Sequence, residues 1–284
     1  MKLATFRTHD RTSWGIVHDR SVLDTGLVLI ADYPDLKSWL ARQDIAALDK
    51  AGAAAVRYEF AEMEWLPVIP NPEKIFCVGL NYEMHRVETG RAAVEHPTIF
   101  MRLPNTQTGH LTNIIRPRVS SQLDFEGELA VIIGKAGRYI PRETALGHVA
   151  GYACYNDGSI RDWQRHTHQF TPGKNFPGTG GFGPWMVTAD EFAETGFHRL
   201  TTRLNSEVVQ QAVLSEMIFD IPTLIHYCSS FNPLVPGDVI VTGTPGGVGA
   251  KRNPPLWMKP GDTVEVEIDG IGVLKNGIAD ESAS

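Results

Sequence analysis

Three prolines crowd the segment Leu66-Pro67-Val68-Ile69-Pro70-Asn71-Pro72. Proline fixes φ and has no N–H to donate, so no regular helix or central strand can run through it. This punctuation divides the 284-residue chain into a small N-terminal α+β unit, residues 1–70, and a larger unit, residues 71–284. In the first unit MKLATFR, SWGIVHD and SVLDTGL are short and turn-bounded, which predicts strands in hairpins. Pro34-Asp35 then opens a helical stretch in which Leu36, Trp39, Leu40, Ile45 and Leu48 fall at helical spacing. In the second unit KIFCVGL, ELAVIIG, VAGYACYND, DVIVTGTP and DTVEVEI are Val- and Ile-rich strand candidates. Helices are expected around 82–89, 158–168 and 215–229. Strands dominate and do not alternate regularly with helices, so the fold class is α+β, and a Rossmann or barrel layout is disfavoured.

Composition narrows the function classes. Lys and Arg do not cluster and the net charge is −7, which argues against a nucleic-acid partner. No run approaches the roughly 20 apolar residues that span a bilayer, and MKLATFRTHDRTSWG has no apolar stretch after its charges, unlike a secretory signal. The expectation is a soluble, cytoplasmic protein with no membrane partner. Cys77, Cys154 and Cys228 fit no zinc or redox spacing and are expected to be buried free thiols.

The most informative segment is Asp124-Phe125-Glu126-Gly127-Glu128-Leu129-Ala130-Val131-Ile132-Ile133. Side chains alternate along a strand, so Glu126 and Glu128 share a face. Two like charges so close need neutralising, and a divalent cation does that; two glutamates facing water on an edge strand would do equally well for the motif alone. In VAGYACYNDGSIRDWQRH a strand runs into Asp157. If a helix follows, Asp157, Arg161 and Gln164 lie on one face. By themselves they also describe a helix cap beside a surface ion pair. Glu126, Glu128 and Asp157 together would make an all-oxygen set suited to Mg²⁺ or Mn²⁺, with Ca²⁺ possible, rather than zinc.

In GLNYEMHRVETG, His85 and Glu88 sit one helical turn apart. A carboxylate on one imidazole nitrogen fixes the tautomer and leaves the other as a base; an exposed helical pair has the same spacing. Gly173-Lys174 with NFPGTGGFGPW, and Thr242-Gly243-Thr244-Pro245-Gly246-Gly247-Val248-Gly249, are glycine-dense enough for close backbone approach to a ligand. The second lacks the Lys-Ser/Thr ending of a P-loop. His166 and His168 are weak candidates for a nitrogen-ligated metal.

Taken together, GLNYEMHRVETG, LDFEGELAVIIGK, AGYACYNDGSIRDWQ, GPWMVTADE, VPGDVIVTGTPGGVG and KPGDTVEVEIDGIGVLKNGI resemble the fumarylacetoacetate hydrolase family, in the family's order, over residues of about 74 to 279. The resemblance implies a mixed β-sandwich roll catalytic domain behind a small N-terminal domain, assembled as a homodimer. It implies metal ligands at Glu126, Glu128 and Asp157, and a water-activating His85 with Glu88 as its partner. It also implies active-site roles for Lys174 and Gln164, and substrate contacts from Arg161, Tyr82 and Thr244. The implied activity is divalent-metal-dependent hydrolysis of a C–C bond in a small 1,3-dioxo acid, such as an acylpyruvate, in catabolism of aromatic compounds or sugar acids. The same site would serve β-keto acid decarboxylation of the oxaloacetate type, or keto–enol or double-bond isomerisation. A noncatalytic organic-acid-binding protein is the alternative of another class. Three departures from the family stand out: Asn175-Phe176-Pro177-Gly178 after the lysine, where many relatives carry Ser/Gly-Phe-Asp; Arg102 in Phe100-Met101-Arg102-Leu103-Pro104, where the family has lysine; and Gly158-Ser159-Ile160 in place of a Val-Ser-Ala type. The first borders the substrate in the family, so the loop 174–183 is expected to tune substrate choice.

Overall fold

The computed structural model describes residues 1–9, 11–192 and 197–282. The strand Gly127–Ile133 is buried along its whole length, as its unbroken apolar run after Glu128 requires. Alternation sends Leu129, Val131 and Ile133 into one core and Ala130 and Ile132 into another. A strand apolar on both faces must lie inside a covered sheet. It does: Val149–Asp157 pairs antiparallel on one side and Val239–Val241 on the other. The sheet continues through Ile75–Gly79 to Thr98–Arg102 on one flank and through Gly180–Thr188 to Lys2–Thr8 on the other.

A second sheet of Glu207–Val213, Arg199–Leu204, Thr263–Ile268, Gly272–Asp280 and Ile114–Arg116 covers one face. Its Leu200, Val266, Ile268 and Leu274 join Leu129 and Val131 in a single cluster. On the opposite face Leu36, Trp39, Leu40 and Leu48 from the N-terminal stretch meet Ala130, Ile132 and Tyr155. The N-terminal strand is hydrogen-bonded into the large sheet, with Leu3 opposite Met186. The two stretches on either side of the prolines therefore share one sheet. The strand-dominated α+β class and the sandwich arrangement agree with the sequence expectation. No helix among the described residues is long and apolar enough to cross a membrane.

Several expected elements are shorter. In SVLDTGL only Ser21–Leu23 is strand; Asp24 then caps the helix Thr25–Val28 by accepting the Leu27 N–H at 3.0 Å. The helical stretch after Pro34-Asp35 is two helices, Leu36–Leu40 and Ile45–Ala54. Gln43 in the left-handed region (φ 51°) breaks the first run, and Asp44 caps the second through Ala47 N–H at 2.9 Å. Ile45 is consequently exposed. The helix expected at 158–168 is only Arg161–Gln164, because Ser159–Ile160 pairs as strand with Leu123–Asp124. The helix expected at 215–229 is Ile221–Phe231, starting where Asp220 caps it.

Candidate active site

Strand register brings the carboxylates together. Gly127 lies opposite Asn156 and Glu128 opposite Tyr155, and the Asp157 N–H donates to the Glu126 carbonyl at 2.8 Å. Asp157 thus reaches the site from the end of its strand, as expected, but it shares no helix face with Arg161 and Gln164, because the helix begins only at Arg161. Glu126, Glu128 and Asp157 each place a carboxylate oxygen within 4.8 Å of the others, and all three are buried.

Cations and N–H groups hold this set. Lys174 Nζ lies 2.6 Å from both Glu126 Oε2 and Asp157 Oδ2. Arg102 Nη1 is 2.6 Å from Asp157 Oδ1, and its Nη2 donates to Thr179 Oγ1 at 2.7 Å. Arg161 Nε donates to Asp124 Oδ2 at 2.8 Å, and its Nη1 to Gln164 Oε1 at 2.9 Å. Arg161 Nη2 is 2.6 Å from Glu126 Oε1, an ion pair without hydrogen-bond alignment.

These contacts divide the charges unequally. Burial opposes ionisation of Glu126, but Arg161 and then Lys174 outweigh it and hold the carboxyl down at about 2. Burial lowers the affinity of Lys174 for its proton, yet Asp157 and Glu126 more than compensate, and the ammonium is stabilised. Among the described residues Glu128 has no cationic hydrogen-bond partner; Gly243 N–H donates to it at 2.6 Å. Burial, then Asp157 and Glu126, push its carboxyl well above the usual carboxylate range. An acidic triad with one member left unneutralised is what a divalent cation would relieve. The donors are all carboxylate oxygens, each carboxylate keeps lone pairs beyond those already used, and such a set fits a hard cation.

His85 lies beside this cluster on the helix Glu83–Glu88 and is 6% exposed. Its Nδ1 is 2.7 Å from Glu88 Oε1, and Glu88 Oε2 accepts the Gly247 N–H at 2.9 Å. The glycine-rich loop therefore presents its N–H groups to Glu128 and Glu88. Gly243 and Gly247 both stand at φ 102°, a conformation that favours glycine. Thr244 Oγ1 donates to the Gly127 carbonyl at 2.9 Å and accepts from Gln210 Nε2 at 2.8 Å.

A cavity of about 780 Å³ opens over the cluster, lined by His85, Glu126, Glu128, Arg161, Gln164, Lys174 and Thr244. Of the substrate contacts expected from the sequence, Arg161 and Thr244 reach it, but Arg161 is already committed to Asp124, Glu126 and Gln164, so it anchors the site. Tyr82 is 2% exposed and does not line the cavity; its expected substrate contact is not what this position offers. The loop after Lys174 also turns elsewhere. Asn175 bonds to Leu103 N and Met101 O, and Phe176 packs on Trp163. Residues 165–168 and Phe170 line the cavity in its place.

Two positioning residues carry no site motif in the sequence. Asp124, fully buried, holds Arg161 and accepts the N–H groups of Gly249 and Ala250 at 2.8 and 2.9 Å. Arg102, marked in the sequence only as a departure from lysine, holds Asp157. A third acid two residues before Glu126 of the Glu-Gly-Glu motif, and a lone arginine on an apolar strand, were the available signals.

The family profile of the fumarylacetoacetate (FAA) hydrolase C-terminal domain matches residues 74–279. The oxaloacetate tautomerase YisK of Bacillus subtilis is 43% identical over 226 residues, 78% of this chain and 75% of that protein. Among solved structures, the fumarylacetoacetate hydrolase of Exiguobacterium antarcticum superposes with a TM-score of 0.86 at 33% identity, over 99% of this chain and 100% of that one. The maleylpyruvate hydrolase of Sphingobium sp. SYK-6, in complex with manganese(II) ion and pyruvate, gives a TM-score of 0.83 at 26% identity, over 99% and 100%. With most of its length matched by the family profile and with a relative this similar, the chain belongs to the fumarylacetoacetate hydrolase family.

Proposed function

We propose that this protein is a metal-dependent enzyme that moves a proton at the carbon between the ketone and the distal carboxylate of an oxaloacetate-type 2-oxo acid, interconverting its keto and enol forms. The observation that carries this is the His85–Glu88 pair, fixed through Gly247 N–H, in the same cavity as the three carboxylates. The tautomerase activity named for the Bacillus subtilis relative agrees with it. Glu126, Glu128 and Asp157 would hold Mg²⁺ or Mn²⁺, and the bound cation would supply Lewis-acid stabilisation of negative charge on the acid's oxygens.

The chain's own residues account for the proton's path. A carboxylate only accepts, so Glu88 keeps the proton on His85 Nδ1 and leaves Nε2 as the base. Nε2 takes the proton from the substrate's C3. The C–H electron pair becomes the C2–C3 double bond, and the carbonyl π pair moves onto oxygen. Return of the proton to that oxygen gives the enol, and the reverse sequence gives the ketone. The Lys174 ammonium, kept charged by Glu126 and Asp157, adds positive potential where the enolate charge develops.

Hydrolysis of an acylpyruvate is the second reading, favoured by the same base and by the likeness to the maleylpyruvate hydrolase structure. There His85 Nε2 would deprotonate water attacking the distal carbonyl. Parallel assays separate the two: decay of the enol of oxaloacetate, oxaloacetate decarboxylation and acylpyruvate hydrolysis, each with Mg²⁺, with Mn²⁺ and with EDTA. Tautomerase activity exceeding the other two by at least about tenfold is expected. Fast acylpyruvate cleavage with no effect on enol decay would overturn the assignment. Glu126→Gln should weaken metal binding and abolish all metal-dependent turnover.

A further inference from the structure

The cavity of about 780 Å³ falls in the size range that encloses drug-sized ligands, and an oxaloacetate-sized acid would occupy a small part of it. Its charged lining falls into two zones. At the floor Glu126 is paired with both Lys174 and Arg161, beside Glu128. At the mouth stand Arg91, Arg165 and Lys251, all exposed, from three stretches far apart in sequence. None of these three forms an ion pair among the described residues. Glu126 and Glu128 are the only carboxylates among the lining residues, so nothing acidic in the cavity answers the mouth. Three exposed cations lining one cavity, unpaired among the described residues of a chain with net charge −7, create a local positive field at the entrance.

We propose that Arg91, Arg165 and Lys251 are specificity-determining residues that bind a carboxylate at the far end of an elongated 2-oxo acid whose head sits at the triad. Guanidinium groups suit a carboxylate because they can donate two parallel hydrogen bonds to it. Placement at the rim rather than the floor means that the preference depends on tail length. A short acid held at the triad leaves the mouth empty, and only a longer one spans both zones. The segment that sets specificity is then 165–168 with the loop bearing Arg91, not residues 174–183. This inference rests on the reading of the triad as a 2-oxo acid site.

The test is equilibrium binding, measured by calorimetry on the full chain with saturating Mg²⁺. Pairs of equal chain length are compared, 2-oxoadipate against 2-oxohexanoate and 2-oxopimelate against 2-oxoheptanoate, in the wild type and in an Arg91→Gln, Arg165→Gln, Lys251→Gln triple variant. The diacid should bind the wild type more tightly by about tenfold or more, the usual worth of one charged hydrogen bond. The triple variant should lose that advantage while its monoacid affinity and its Mn²⁺ affinity stay unchanged, which also shows that it folds. Equal binding of diacid and monoacid to the wild type, or a diacid advantage that survives in the variant, would overturn the proposal. Equal weakening of both acids would reduce the rim to general steering and overturn it as well. Failure of every 2-oxo acid to bind the wild type would instead remove the reading of the triad on which the inference stands.

Discussion

The backbone N–H of Gly243 donates to Glu128 at 2.6 Å across 115 positions of sequence. It is the only hydrogen bond that restrains this carboxylate among the described residues, whereas Glu126 and Asp157 each meet two cationic side chains. The loop from Thr242 to Gly249 thus acts on the site through its backbone. One N–H orients the least neutralised carboxylate and another, from Gly247, orients the partner of the base.

Replacing Gly243 tests this directly. At φ 102° an alanine is strained, and its Cβ would come within 2.7 Å of the Asn81 Cβ. Gly243→Ala should destabilise the fold by about 1–3 kcal/mol and weaken Mn²⁺ binding, as measured by urea denaturation and by titration calorimetry. Unchanged metal affinity in a folded variant would show that the Gly243 contact does not orient Glu128.

Arg102 and Asp157 are both wholly buried, 2.6 Å apart. Arg102→Met leaves Asp157 with Lys174 alone, and breaking one partner out of a buried pair costs about 3–5 kcal/mol. Arg102→Lys, which restores the family's residue, keeps the charge and should lose much less. Urea melts of the two variants provide the comparison; equal losses would mean that the charge at position 102 is unimportant.

His110 offers a pH test away from the site. Burial, then Lys275, lower it to about 4, and its Nδ1 accepts the Lys275 N–H at 3.1 Å. The unfolded chain binds that proton near 6.5, so between the two values the unfolded state holds more protons. Stability from this group is complete above about 6.5 and is lost as pH falls toward 4, by about 1–2 kcal/mol at pH 5. His110→Gln should flatten the stability profile between pH 7 and 5, read by urea denaturation. A profile as steep as the wild type would assign the pH dependence elsewhere.

Much of this was legible in the sequence where the signal is local. The Val- and Ile-rich run marks the strand Gly127–Ile133, Pro34-Asp35 marks a helix start, and the spacing of His85 and Glu88 predicts their contact. What was not legible depends on partners distant in sequence. No local pattern shows that Lys2–Thr8 pairs with Gly180–Thr188, that Asp124 holds Arg161, or that Asn175 turns toward Leu103 instead of the cavity. The helix expected at 158–168 failed for the same reason, because the pairing of Ser159–Ile160 with Leu123–Asp124 overrides helical spacing.

Family resemblance leads us to expect a homodimer. Light scattering at micromolar concentration should give about twice the 31.3 kDa chain mass. A single species at the chain mass would contradict it.

The most direct measurement of the central claim is the decay of oxaloacetate enol catalysed by wild-type and His85→Ala protein, with Mn²⁺ binding measured on the same samples. The variant should retain the metal, because His85 is outside the carboxylate triad, and should lose about 10²–10⁴-fold in rate, the usual contribution of a general base. EDTA should abolish the wild-type rate. Full enol turnover by metal-loaded His85→Ala, or a wild-type rate indifferent to EDTA, would contradict the account.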